Sequence, residues 1–186
     1  MATTSEKARR YREQAEQMDW PNLTTFWEQI KKRDTPAWDP GKALEHLVVR
    51  AFALSGLEVG YPYDVPPGGE PLEQIDGIVY LDGLAFLLEC KDRERVDIEA
   101  IAKLRNQLLR RPDTTLGCVF ASVKFTEPAV ILADFSVPHR ILLWQDADIA
   151  NAIAARDFAS ALREKYRHLC KYGLTDHSPN YKALET

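Results

Sequence analysis

The segment "EQIDGIVYLDGLAFLLECK", residues 73–91, sets carboxylates at Asp76 and Glu89 and an ammonium at Lys91 within two apolar runs. Strand interiors normally carry hydrophobes at such positions, so each charge needs a partner or a task. The Asp82-Gly83 step between the runs signals a hairpin, because a type I′ turn needs positive φ at both central residues. With a two-residue loop Leu81 opposes Leu84, and the same register sets Asp76 opposite Glu89, with Cβ atoms about 4.5–5.5 Å apart. Lys91, two residues beyond Glu89, projects from the same face. A three-residue loop would shift the register, set Asp76 against Leu88 or Cys90, and dissolve the pair.

Directly opposed carboxylates repel unless a shared proton or a divalent cation lies between them. Oxygen ligands suit Mg²⁺ or Mn²⁺. Mg²⁺ takes one or two protein carboxylates and completes its shell with water and substrate phosphate. A lysine beside such an ion can orient the attacking water or stabilise charge building on the phosphate. Those are the requirements of phosphodiester hydrolysis. The structural alternative is an ion pair of Glu89 or Asp76 with Lys91 or Arg93 at the end of the hairpin. Glu45 adds a third acid, on the edge of the apolar stripe of "GKALEHLVVRAFALSG" beside Val48 and Phe52. Packed against the carboxylate face of the hairpin, it would hydrogen-bond a metal-bound water or serve as an extra ligand; otherwise it points to solvent.

The elements that must position these groups follow from periodicity. Residues 5–18 read as a charged helix and 22–33 as an amphipathic one, with Trp20, Trp27 and Trp38 placed to dock this N-terminal part onto a core. The stripe from Gly41 predicts a helix stopped by Gly56. "LEVGYPYDV" reads as a strand, "PPGGEP" as a loop, and 74–81 and 84–91 as the hairpin strands. Asp97 caps a helix running through Arg111, and "LGCVFASV" is a strand. Thr126 and Pro128 open a short helix. "RILLW" is a strand, Asp146 caps a helix, and a last helix covers 157–170. This order predicts an α/β fold with a mixed sheet flanked by helices.

Bulk composition bounds the rest. The chain has 186 residues, 45% of them hydrophobic, enough for one compact domain with helical additions. No apolar run is long enough for a transmembrane helix, and the charged N-terminus lacks the apolar stretch of a signal peptide. Three cysteines, at 90, 118 and 170, have no metal-binding spacing and predict reduced thiols in a cytoplasmic protein. The net charge of −4 arises wholly within residues 41–145. That argues against a protein that coats nucleic acid by charge alone, but is compatible with a basic face beside an acidic pocket.

The ordered pieces "GKALEHLVVRAFALSGLEV", "QIDGIVYLDG", "LLECK", "LGCVFASVKFTEPAV" and "RILLWQDADIANAI" resemble the PD-(D/E)xK nuclease superfamily, specifically its Mrr-type restriction-endonuclease-like group. The resemblance implies a restriction-endonuclease-like core over 41–153, with an N-terminal helical extension (1–40) and a C-terminal helix and tail (154–186). It implies a Mg²⁺- or Mn²⁺-dependent endodeoxyribonuclease serving in defence against foreign DNA. Glu45, Asp76, Glu89 and Lys91 would be catalytic. Asp76, Glu89, the Cys90 backbone carbonyl and Glu45, directly or through water, would hold the metal, with Gln74 supporting. Cys90 stands where many relatives carry an apolar residue, and its side chain falls on the opposite face as a buried structural thiol. Lys103, Arg105, Arg110, Arg111, Lys124 and the run Lys31-Lys32-Arg33 are candidate phosphate contacts or plain solvated charges. DNA is the expected partner, together with a targeting protein and a second copy of the chain, since cutting a duplex needs two sites or two visits. The rival readings are a non-catalytic module binding nucleic acid or protein, and a nuclease acting on RNA.

Overall fold

A computed structural model describes residues 4–65, 73–92, 95–137 and 140–179. The expected loop at 66–71 and Arg93 lie outside the described residues. In chain order the elements are α1 (Thr4–Glu16), α2 (Trp20–Lys31), α3 (Lys42–Leu54), β1 (Glu58–Gly60), β2 (Tyr63–Val65), β3 (Glu73–Ile75), β4 (Gly77–Leu81), β5 (Leu84–Lys91), α4 (Ile98–Leu108), β6 (Leu116–Ala121), α5 (Glu127–Asp134), β7 (Ile141–Trp144), α6 (Asp146–Ala155) and α7 (Phe158–Tyr172).

Five strands form one sheet in the order β1-β4-β5-β6-β7. β1, β4 and β5 run antiparallel, whereas β5, β6 and β7 are parallel, so the fold is α/β with a mixed sheet, as expected. Alternation along the strands serves two cores. Val79, Phe86, Leu88, Cys90, Phe120 and Trp144 pack with Leu44, Val48 and Phe52 of α3, and with Phe26 and Trp27 of α2. Leu87, Val119, Ile141 and Leu143 face Ile101, Leu104 and Leu108 of α4 and Ala129 of α5. Trp27 is buried, and Trp38 stacks on Tyr11 with ring centroids 4.9 Å apart, tying α1 to the segment ahead of α3.

The hairpin forms on the expected turn. Asp82 and Gly83 have φ of 51° and 81°, Leu81 pairs with Leu84, and the ladder continues to Gly77 opposite Leu88. It then stops. Instead of one strand over 74–81, the chain swerves at Asp76, and β3 pairs with β2 in a separate two-stranded sheet. "LEVGYPYDV" is likewise two short strands, interrupted at Tyr61-Pro62, because a proline cannot donate to a ladder. Smaller shifts occur at helix ends. α4 stops at Leu108, three residues before Arg111, and Gln145, not Asp146, occupies the N-cap of α6.

Candidate active site

The central strand β5 brings Glu89 and Lys91 to its C-terminal end on the α4 side, while Cys90 faces α3. Glu89 is fully buried. Lys91 Nζ lies 2.5 Å from Glu89 Oε1, and Lys103 Nζ of α4 contacts both carboxylate oxygens at 2.9 and 2.7 Å. A buried carboxylate of this kind is tolerable only with such compensation.

Asp76 sits where the hairpin ladder ends. It is not the ladder partner of Glu89; its Oδ2 instead accepts a hydrogen bond from the Cys90 backbone N–H at 2.8 Å. The departure of β3 toward β2 is the reason: the backbone turns one residue too early for a direct pair. The two acids nevertheless remain electrostatically coupled. Burial raises the Asp76 carboxyl above its ordinary range, and the Glu89 charge raises it further, against the Cys90 hydrogen bond and the more distant charges of Lys103 and Lys42.

Glu45 completes the cluster from α3. It does not point to water: the residue is 6% exposed and its carboxylate is clasped by Lys42 Nζ at 2.7 and 2.9 Å. Burial, then the Asp76 charge, push it up to about 7, with Lys42 opposing. The Cys90 thiol is buried beside all three acids; desolvation and their charges hold its ionisation well above the usual range, so it is an inert packing group.

Gln74 departs from expectation. It pairs with Asp64 rather than standing across from Lys91, its backbone carbonyl accepts from Gln107 Nε2 at 2.9 Å, and its exposed side chain lines a separate cavity. Arg110 and Arg111 both grip Glu73 of β3, and Lys31 Nζ donates to the Ser122 carbonyl at 3.1 Å and Asp146 at 3.0 Å. Those three side chains are tied down as intramolecular clamps. Arg105, Lys124, Lys32 and Arg33 are exposed.

Two members of the cluster, Lys42 and Lys103, are absent from the set the motif singles out. Lys103 was visible in principle: it falls three residues after Ala100 and four before Gln107, on the border of the buried stripe of α4. Lys42 precedes Glu45 by three, the spacing of an ion pair along one helix face.

Among the described residues no group of three or more His, Cys, Asp and Glu side chains is gathered so as to hold a metal ion. Nor, among them, is any helix long and apolar enough to cross a membrane. No protein-family model matches the chain, and no curated protein matches it significantly. Solved structures similar to it include these two. One is a protein of unknown function, AF1548, with a TM-score of 0.48 and 20% identity, over 70% of this chain and 77% of that one. The other is the DNA modification-dependent restriction endonuclease AspBHI, with a TM-score of 0.42 and 13% identity, over 84% of this chain; the match spans 40% of the AspBHI chain.

Proposed function

We propose that the chain is a Mg²⁺- or Mn²⁺-dependent endodeoxyribonuclease with a restriction-endonuclease-like core. The observation that carries this reading is the electrostatic coupling of three buried acids, Glu45 of α3, Asp76 at the β3–β4 junction and Glu89 of β5, with Lys91 at the end of the central strand. Burying like charges together is costly, and the raised carboxyls of Glu45 and Asp76 express that cost. Fold stability alone gives no reason to gather them.

The donors fit a hard divalent cation. Asp76 and Glu89 would offer carboxylate oxygens, with the carbonyl of Cys90, next to Glu89 in the chain, as a further oxygen; Mg²⁺ needs only one or two such carboxylates when water and phosphate complete its shell. Such an ion supplies Lewis-acid polarisation of the phosphate. The chain's own groups do the rest. Lys91 orients the attacking water and neutralises charge on the phosphate oxygens. Glu45, with an ionisation near neutrality, takes the proton that water loses. The P–O bond to the leaving oxygen then breaks as the new P–O bond forms, and the departing alkoxide takes a proton from solvent.

The test is nicking of supercoiled plasmid with and without Mg²⁺. Wild-type cutting that EDTA stops, and that Asp76→Asn and Lys91→Ala lose at least a thousandfold while keeping the native circular dichroism spectrum, is the expected result. Undiminished cutting by either variant removes the assignment.

One observation favours a second reading. Lys103 and Lys42 already neutralise Glu89 and Glu45, as they would in a non-catalytic module that binds nucleic acid or protein. Calorimetric titration separates the two: a module takes up neither Mg²⁺ nor Mn²⁺, with or without DNA.

A further inference from the structure

Beside the acidic cluster lies a second feature that phosphodiester hydrolysis does not use. A cavity of about 710 Å³ opens between α1, the start of α3 and the β1–β2 connection. Its volume is that of a small-molecule site, about 300–1,000 Å³. Three tyrosines line it, Tyr11, Tyr61 and Tyr63, each from a different element or connection. The Tyr61 hydroxyl is buried with no hydrogen-bond partner among the described residues, an expensive state unless a ligand supplies the partner. His46, which lines the same cavity, has Nδ1 2.9 Å from the Lys42 carbonyl, which only an N–H can satisfy; burial keeps the ring neutral, so Nε2 is left as an acceptor. Planar rings, an unmet hydroxyl and a ring acceptor are what a flat heterocycle with mixed hydrogen-bonding edges requires.

Charge around the cavity suits a phosphate attached to that heterocycle. Lys7, Arg9 and Arg12 stand on its α1 wall, paired with Asp39, Glu13 and Glu16 respectively in exposed contacts of 3.0, 3.6 and 2.8 Å that an incoming phosphate can exchange at little cost. Arg12 also lies over the Tyr61 ring, 5.1 Å from its centroid. The decisive link is Lys42. It lines the cavity and is the ion-pair partner of Glu45, so whatever fills the cavity sits one side chain from the acidic cluster.

We propose that this cavity receives an unpaired nucleobase of the nucleic acid strand whose backbone crosses the acidic cluster. The substrate class is therefore DNA carrying an extrahelical or single-stranded base next to the cleaved bond. This deepens the nuclease reading and rests on it for the polynucleotide partner. A free nucleotide offers the same ring and phosphate, and the experiment separates the two sources.

Affinity is read by fluorescence anisotropy in EDTA, with the full chain and labelled duplexes of one sequence, fully paired or carrying one extra unpaired thymidine. The bulged duplex binds about tenfold more tightly, the gain of one base–aromatic stack. Tyr63→Ala removes that gain and leaves the paired duplex unaffected. Tyr61→Leu, which keeps apolar volume without a ring face, does the same, so a folding failure in one variant does not decide the matter. Equal binding of the two duplexes overturns the proposal, as does a preference that survives both substitutions. So does free thymidine monophosphate filling the site with no gain from the strand. Plasmid nicking on the same preparation keeps the two readings apart. Cutting without bulge preference ends this inference and leaves the nuclease; bulge preference without cutting sustains the base pocket and ends both the nuclease and the cleaved bond beside it.

Discussion

Lys103 Nζ holds both oxygens of the Glu89 carboxylate, at 2.9 and 2.7 Å, from the helix that follows the strand carrying Glu89. Burial, the largest effect on this lysine, disfavours its charge, yet the hydrogen bond to Glu89 and the charges of Glu89, Asp76 and Glu45 outweigh it and leave its ionisation raised. On the proposed metal-dependent reading the ammonium occupies the place of the ion and competes with it for the same oxygens.

The proposed metal-dependent reading predicts that removing that competitor sharpens metal binding. Lys103→Ala is expected to bind Mn²⁺ about tenfold more tightly than the wild type, ~1.4 kcal/mol, the order of one partly exposed charge–charge interaction. Isothermal titration calorimetry measures it. Unchanged or weaker binding would show that Lys103 and the ion do not share Glu89.

Glu45 gives a pH signature. Its carboxyl is raised from 4.5 to about 7 in the folded protein, chiefly by burial. Between those values the folded state holds a proton that the unfolded state has lost, so this stabilisation is complete below about pH 4.5 and disappears as pH rises through 7. Glu45→Gln does not titrate. Its stability relative to wild type should climb from pH 4.5 to 7 and then level, by about 3 kcal/mol at most. His46, held neutral by burial with its ionisation lowered to about 4, acts in both proteins and cancels from the difference. Urea denaturation across pH checks this; a flat difference would contradict the buried placement of Glu45.

A buried cation elsewhere, Lys165, is structural. Lys165 is fully buried, donates to the Leu143 carbonyl at 2.7 Å, to Asp148 at 2.9 Å and to the His177 carbonyl, and lies over the Trp144 ring. It fastens α6, α7 and the segment after α7 to β7. Lys165→Met leaves Asp148 buried without its ammonium, a loss of about 3–5 kcal/mol. Thermal unfolding should fall on the order of 10 °C, and adding Asp148→Asn should recover part of it.

Gly77, directly after Asp76, is required for closeness rather than for flexibility. A Cβ there would come within 2.7 Å of Val49 Cγ2 and 3.1 Å of Leu88 Cδ1. Gly77→Ala should therefore push α3 from the sheet and cost about 1–3 kcal/mol. Chemical denaturation measures that cost, and a neutral effect would mean that α3 yields freely.

These residues show where legibility in the sequence ends. The hairpin register followed from Asp82-Gly83, because a two-residue turn with positive φ leaves one alignment. The swerve at Asp76 did not, since β3 leaves the ladder to pair Gln74 with Asp64, a contact between segments that no local pattern connects. The acids Glu45, Asp76 and Glu89 were nameable because carboxylates inside apolar runs are conspicuous. Lysines carry a weaker signal, a spacing along one helix face: Lys103 looked like a phosphate contact until α4 packed over β5. Arg110 and Arg111 misled for the same reason, their true partner Glu73 lying in a strand far away in sequence.

The central claim is that Asp76 and Glu89 share one divalent ion. Anomalous diffraction from a crystal soaked in Mn²⁺ tests it most directly. The account predicts a single strong peak about 2.1 Å from an oxygen of each carboxylate, with Lys103 withdrawn from Glu89. No peak at that position, with Lys103 still on Glu89, would contradict it.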